Sequence, residues 1–412
     1  MNQPPDAEAS APRLLTRPDG EVADLVTTTE ALAECAQALS DGSGPVGVDA
    51  ERAHGFRYSS RAYLIQLRRH GAPTFLIDPI PFRDGEAEAD LTGLLPGLAE
   101  EWILHAASQD LPCLTEVGLV PTALFDTELA GRLLGYPRVS LGTLTEELLG
   151  IQLLKEHSAA DWSTRPLPPD WLAYAALDVE LLDELRAVLA EQLEAAGKAE
   201  WARQEFAYLV EHAQDPARER TDPWRRTSGV HQLRSPRALN VVRELWTARD
   251  EIARRLDKAP GKILADRAIS EAALELRSAD RKALRSLSGF QRRQARRYES
   301  NWLAAIETAL AAPDTELPRM HLRGDGPPQP RSWARRHPEA AARLDRCKAH
   351  VQQLSDDLRV PTENLLTPDT LRRLAWQPPD PVDEDSVATF LADHDARPWQ
   401  RDLLAAPLAR LL

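Results

Sequence analysis

Cysteine is scarce in this chain of 412 residues: there are three, Cys35, Cys113 and Cys347, far apart and odd in number. Such a set excludes a disulfide framework and a CxxC-type zinc site, and reads as reduced, partly buried thiols. No Gly-x-x-x-x-Gly-Lys-Ser/Thr is present, which argues against a P-loop nucleotide hydrolase. No Gly-x-Gly-x-x-Gly follows a strand to suggest a dinucleotide site. A membrane span needs about 18 consecutive apolar residues, and no stretch supplies them. The opening, MNQPPDAEASAPRLLTRPDG, is acidic and Pro-rich and lacks the apolar region of a secretory signal. The expectation is a cytoplasmic protein with no membrane partner.

Positive charge is also short overall: 50 Lys and Arg face 64 Asp and Glu, a formal net charge of -14. Taken whole, that balance argues against nucleic acid, yet an average over several domains can hide a basic one. Residues 1–216 hold 15 Lys/Arg against 36 Asp/Glu (net -21), residues 217–310 hold 21 against 12 (net +9), and residues 311–412 hold 14 against 16 (net -2). The middle segment is the basic one.

From about residue 22 to 212, short apolar runs alternate with amphipathic stretches, the pattern of an α/β domain. Strands are expected at 45–50, 62–68, 74–79 and 102–106, and helices at 28–40, 91–101, 110–117, 126–134, 142–149 and 170–196. The first three strands follow one another too closely for crossovers, so the sheet is expected to be mixed. Residues 1–21 read as a flexible tail. Beyond 217, Ala, Leu and Arg at helical spacing dominate: a basic helical unit over 217–310, a Pro- and Gly-rich linker over 311–330 and a second helical unit over 331–412. The two units look like copies. Leu256, Ile263, Leu264 and Ile269 recur as Leu358, Leu365, Leu366 and Leu371 with identical spacings, and Pro260 and Pro361 occupy the corresponding loops.

The chemistry lies in the acids. In VGVDAER, Asp49 and Glu51 are two residues apart at the end of an apolar run, so on a strand they share a face. Two carboxylates brought together in a desolvated place are costly unless a cation neutralises them. Asp110 follows the apolar run WILHA at the start of a helix, where an acid also suits the helix dipole. Tyr174 and Asp178 are four residues apart in YAALDVELL, one helical turn from each other. Each signal alone is commonplace. Together, four hard oxygen donors with no Cys or His cluster suit a pair of divalent ions, Mg²⁺ or Mn²⁺, of the kind that promote in-line displacement at a phosphodiester.

Asp49-x-Glu51, Asp110 and Tyr174-x-x-x-Asp178, in that order, resemble the three exonuclease motifs of the DEDD superfamily in its tyrosine subgroup, and specifically the ribonuclease D family. RAYLIQL (61–67), LHAASQDL (104–111) and ADWSTRPLPPDWLAYAALDV (160–179) extend the likeness, and the helical units resemble HRDC domains, small nucleic-acid-binding modules, of which the chain would have two. The resemblance implies an α/β ribonuclease-H-like exonuclease domain over 22–212, followed by all-α HRDC-like domains. It implies a 3′-5′ exoribonuclease that releases nucleoside 5′-monophosphates and trims tRNA precursors or other structured RNA. Asp49, Glu51, Asp110 and Asp178 would bind two divalent ions, Glu51 would also meet the terminal 3′-hydroxyl, and Tyr174 would orient the attacking water.

Weaker candidates complete the reading. Lys155 and Arg165, between the second and third motifs, are candidates for phosphate contact. Arg292, Arg293, Arg296 and Arg297 fall within two helical turns in the basic segment and are candidates for gripping RNA. His54 and His105 read as structural groups, and Trp162 and Trp171 as core aromatics. Two other functions fit the residues: a DNA 3′-5′ exonuclease, since nothing here reads a 2′-hydroxyl, and a non-catalytic RNA-binding scaffold.

Overall fold

An apolar run covered on both faces makes a central strand, and the run ending in Asp49 and Glu51 is one. The structure, a computed structural model, describes residues 11–83, 90–154, 159–216, 220–321 and 326–412. Its strands are β1 (Arg13–Leu15), β2 (Ser43–Arg52), β3 (Ala62–His70), β4 (Phe75–Ile77), β5 (Trp102–Leu104), β6 (Leu124–Asp126) and β7 (Ile151–Leu153). Five of them form one sheet in the order β4-β3-β2-β5-β6. The β4-β3-β2 half is antiparallel and the β2-β5-β6 half parallel. The sheet is mixed, as the close spacing of the first three strands requires.

Helices α1 (Thr29–Asp41), α2 (Ile80–Arg83), α3 (Leu111–Glu116), α4 (Thr127–Leu134), α5 (Leu141–Leu149), α6 (Pro169–Glu180), α7 (Leu182–Ala195) and α8 (Ala199–Glu211) complete the first unit. Helix α1 starts at Thr28, whose hydroxyl accepts from the Ala31 N–H, and it buries Leu32, Cys35 and Leu39 along one stripe. The junction of α6 and α7 lies close against β2. A methyl at Gly47 would meet the Val179 carbonyl oxygen at 3.4 Å and the Leu182 side chain at 3.5 Å, ordinary contact distances, so the helix that carries Asp178 packs directly on the strand that carries Asp49.

Several elements differ from the sequence expectation. The fifth strand, β6, is only three residues of Leu-Phe-Asp running straight into a helix, too short to show a period. The stretch 91–98 is a 3₁₀ helix containing Pro96, and 170–196 is two helices divided at Leu181. The segment read as a flexible tail is tied down from Arg13 onward. Strand β1 pairs in parallel with β7, and the Asp19 and Gly20 N–H groups donate to the buried Glu180 carboxylate.

The basic unit holds α9 (Pro236–Arg255), α10 (Pro260–Ile263), α11 (Asp266–Glu275), α12 (Arg281–Ser286), α13 (Arg293–Arg297) and α14 (Glu299–Ala311). The last unit holds α15 (Trp333–Arg336), α16 (Pro338–Leu358), α17 (Thr362–Leu365), α18 (Pro368–Trp376), α19 (Glu384–Ala392) and α20 (Pro398–Leu411). The repeat seen in the sequence is one of structure: α9-α10-α11 and α16-α17-α18 run long, one turn, medium. Ile263, Leu264 and Ile269 are buried in one and Leu365, Leu366 and Leu371 in the other. Among the described residues, no helix is long and apolar enough to cross a membrane.

Candidate active site

Asp49 and Glu51 lie on the central strand, opposite Gln66 and Leu64 of β3. Asp110 occupies the residue just before α3, its side chain making no capping hydrogen bond to the helix, and the turn that brings it there passes through Ala106 in the left-handed region, at φ 61°. One side chain holds that turn in place. Asp126, at the end of β6, accepts from the N–H groups of Ala106 and Ala107 and also from those of Glu128 and Leu129, which it caps. A non-glycine residue at positive φ is thereby stabilised by two charge-assisted hydrogen bonds. Tyr174 and Asp178 project from α6, one turn apart.

These elements bring three carboxylates together: one oxygen each of Asp49, Glu51 and Asp178 lie within 4.8 Å of one another, all three side chains half-buried. Asp110 stands beside this group and is buried, with one carboxylate oxygen 3.3 Å from a guanidinium nitrogen of Arg52. The walls make a cleft of about 590 Å³ that also includes Tyr174, His105, Gln109 and Arg132.

Crowding and burial hold protons on these acids. Burial pushes Glu51 up to about 10, helped by the charges of Asp49, Asp178 and Asp110. Asp110 is pushed up to about 8 by burial and then by Asp49, with Arg52 opposing. Burial raises Asp49 to about 6 and holds Asp178 well above the carboxylate range, with Asp49 and Asp110 adding to it. Tyr174 is held above the ordinary phenol value, first by burial and then by the three nearest acids. A set of clustered oxygen donors that ionises only against strong mutual repulsion is what a hard divalent cation relieves, so the residues fit such an ion.

The remaining candidates divide. Arg165 does not face substrate: its five N–H donors go to both oxygens of buried Asp78 and to the carbonyls of Trp162, Thr164 and Tyr63. It is a structural clamp, and the expectation of a phosphate contact fails because no donor is left over. Lys155 lies outside the described residues. Arg292, Arg293, Arg296 and Arg297 are all exposed at α13, and the neighbouring Glu299 pairs with Arg281 and Arg285 instead. His105 is structural, its Nδ1 2.9 Å from the Thr127 hydroxyl, and burial drives its pKa down to about 4. Trp162 is fully buried and packs edge-on against Trp171. Sequence reasoning missed Arg52 and Asp126. The first stood inside the quoted motif, and the second was hidden because its strand is so short.

A larger cavity, about 1400 Å³, is lined by the last unit and Tyr208 of α8 and shares no residue with the cleft. Its arginines are spoken for, Arg372 and Arg373 by Asp369 and Arg397 by Glu205.

A family model described as 3'-5' exonuclease matches residues 24–194, one described as HRDC domain matches 238–306, and one described as 3' to 5' exonuclease C-terminal domain matches 326–412. Ribonuclease D of Gluconacetobacter diazotrophicus is 32% identical over 309 residues, covering 74% of this chain and 76% of that protein. The chain belongs to the ribonuclease D family. Ribonuclease D of Acidiphilium cryptum is 33% identical, covering 71% of this chain and 74% of its own. Among solved structures, a protein from Bifidobacterium adolescentis superposes with a TM-score of 0.88 at 39% identity, over 97% of this chain and 99% of that one. Escherichia coli RNase D, described as an exoribonuclease involved in structured RNA processing, superposes with a TM-score of 0.67 at 26% identity, over 94% and 98%. As a member of that family, the chain is a 3′-5′ exoribonuclease that uses divalent metal and acts on RNA. Of the two HRDC-like units expected, the first matches the HRDC model and the second matches a different one.

Proposed function

We propose that Asp49, Glu51, Asp110 and Asp178 hold two divalent ions, Mg²⁺ or Mn²⁺, and that the enzyme removes nucleoside 5′-monophosphates one at a time from the 3′ ends of structured RNA such as tRNA precursors. The observation that carries this reading is the meeting of Asp49, Glu51 and Asp178 within 4.8 Å, with Asp110 alongside. Divalent ions bound there supply Lewis-acid stabilisation of the phosphodiester's developing charge and make a water acidic enough to attack near neutral pH.

The chain's own groups do the rest. Tyr174, kept neutral by its surroundings, offers a hydroxyl that orients the attacking water by hydrogen bonding and does not serve as a base. Glu51, nearest the strand end, meets the terminal 3′-hydroxyl. The exposed arginines of α13 grip the phosphates of the RNA body, a contact that the +9 charge of residues 217–310 supports. Structured RNA is the substrate class named for Escherichia coli RNase D, whose match spans nearly the whole chain.

The test is digestion of a 5′-labelled RNA with a structured body and a single-stranded 3′ tail, in Mg²⁺, Mn²⁺ or EDTA, beside a matched DNA strand. Wild type should give a metal-dependent ladder shortening from the 3′ end, and Asp49→Ala and Asp178→Ala should give none. Activity surviving in either variant would remove the acid cluster from the mechanism.

A further inference from the structure

Strand alternation should turn Arg52 away from the acids, because adjacent residues on a strand face opposite sides. It does not: the pairing of β2 with β3 is irregular there, Glu51 facing Leu64 and Arg52 facing Ala62, so that Tyr63 of β3 is left unpaired opposite the end of β2, and a bulge of this kind raises the local twist. The guanidinium comes round to the acid face, lines the cleft and meets Asp110 at 3.3 Å. Its side chain is 31% exposed against 8% for Asp110, so it reaches inward from the cleft wall to a buried partner. The cleft's other arginine, Arg132, is committed to Glu128 at 2.6 Å. The three acids that converge within 4.8 Å do not include Asp110, so the acid held by arginine is the one standing outside the cluster.

We propose that Arg52 is the resident counter-cation of Asp110, and that a divalent ion must displace it to recruit this acid. The inference rests on the metal reading given above. Asp110 cannot give the same oxygen to the guanidinium and to an ion shared with Asp49, so the two cations compete for it. The charge of Arg52 also reaches Asp49 and Glu51, but its direct contact is with Asp110, so the first ion, held by the preformed group of Asp49, Glu51 and Asp178, has no bound cation to displace. Arg52 therefore sets the affinity of the second ion and leaves that of the first nearly untouched. It is a positioning residue, acting through Asp110.

The experiment needs no RNA and no turnover. Mn²⁺ binding to the metal-free full-length chain is followed by the loss of the free-ion electron paramagnetic resonance signal at fixed pH and ionic strength, for wild type, Arg52→Met and Arg52→Gln, each alone and with Asp110→Asn. The second ion should bind at least about fivefold more tightly in both Arg52 variants, with the first changed by less than about twofold. Asp110→Asn should abolish the second ion in all three backgrounds. An unchanged or weaker second ion in the Arg52 variants would overturn the proposal. So would equal tightening of both ions, which would mark the arginine as a general positive field. A second ion retained after Asp110→Asn would overturn it as well. Failure of wild type to bind any Mn²⁺ is a separate result: it would sink the metal reading itself, and the role of Arg52 with it.

Discussion

The two helical units follow the same plan and are attached in opposite ways. The basic unit closes its own core around Trp224, Leu245, Ile269, Trp302 and Ile306 and meets the exonuclease unit mostly through polar groups. The Tyr58 hydroxyl donates to Asp250, the Ser59 N–H to Asp257, and the Ala259 N–H to the Phe56 carbonyl, while Lys262 sits over the Phe56 ring. The last unit has no separate core. Trp333, Leu344 and Leu408 pack in one cluster with Leu185, Leu189 and Phe206 of α7 and α8, and Lys198 donates to the carbonyls of Leu133 and Leu358, joining the ends of α4 and α16. A polar joint with a closed core on each side makes a detachable arm, whereas a shared apolar core makes a wall. Charge agrees, since the arm is basic and the wall nearly neutral.

Matched core lesions should separate the two most strongly. Trp302 and Trp333 are both fully buried, and truncating a buried tryptophan to alanine costs about 3–5 kcal/mol. Trp333→Ala should lower the melting of the exonuclease unit and its activity together. Trp302→Ala should produce a separate, earlier transition in calorimetry and leave cleavage of short single-stranded RNA intact. A single shared transition in both variants would erase the distinction.

Removing metal sharpens the contrast through pH. The site acids belong only to the exonuclease unit, and their folded pKa values lie above the unfolded ones, so in EDTA their contribution is whole below about pH 4. It is lost as pH rises through about 6 for Asp49 and about 8 for Asp110. Between pH 5 and 8.5 the stability of the joint exonuclease and last unit should fall steadily, by several kcal/mol. The arm should hardly move, Mg²⁺ should restore the loss at the alkaline end, and Glu51→Gln should blunt it.

Smaller effects belong to the arm. Arg296→Ala with Arg297→Ala should weaken structured-RNA binding about tenfold and flatten the salt dependence by the share of about two phosphate contacts, with cleavage of short oligonucleotides unchanged. The joint comes last. Asp257→Asn should cost about 1 kcal/mol, read as greater hydrogen exchange in residues 56–63 with the melting of the last unit unaffected.

Much of this was legible in the sequence because the chemistry needs particular residues at particular spacings. The strand period paired Asp49 with Glu51 and the helix period paired Tyr174 with Asp178, the resemblance to the exonuclease motifs joined the two pairs, and the Leu and Ile spacings gave away the duplicated helical unit. Residues whose role depends on a partner far along the chain were less legible. Arg165 resembled a loop cation until Asp78, 87 residues away, appeared beside it. Arg52 stands opposite a bulge in β3 that no pattern of side chains announces. The shared core of the last unit was invisible for a related reason: a leucine facing another unit looks the same in sequence as one facing its own.

Asp126 has a consequence for anyone who maps this enzyme by random mutagenesis. It touches neither metal nor substrate in the proposed scheme, yet its four accepted N–H bonds fix both the turn leading to Asp110 and the start of α4. A screen scored by RNA decay would rank it with the catalytic acids, and a screen scored by solubility would pass over it. The disagreement between two such screens is how a side chain that builds a site can be told from one that works in it.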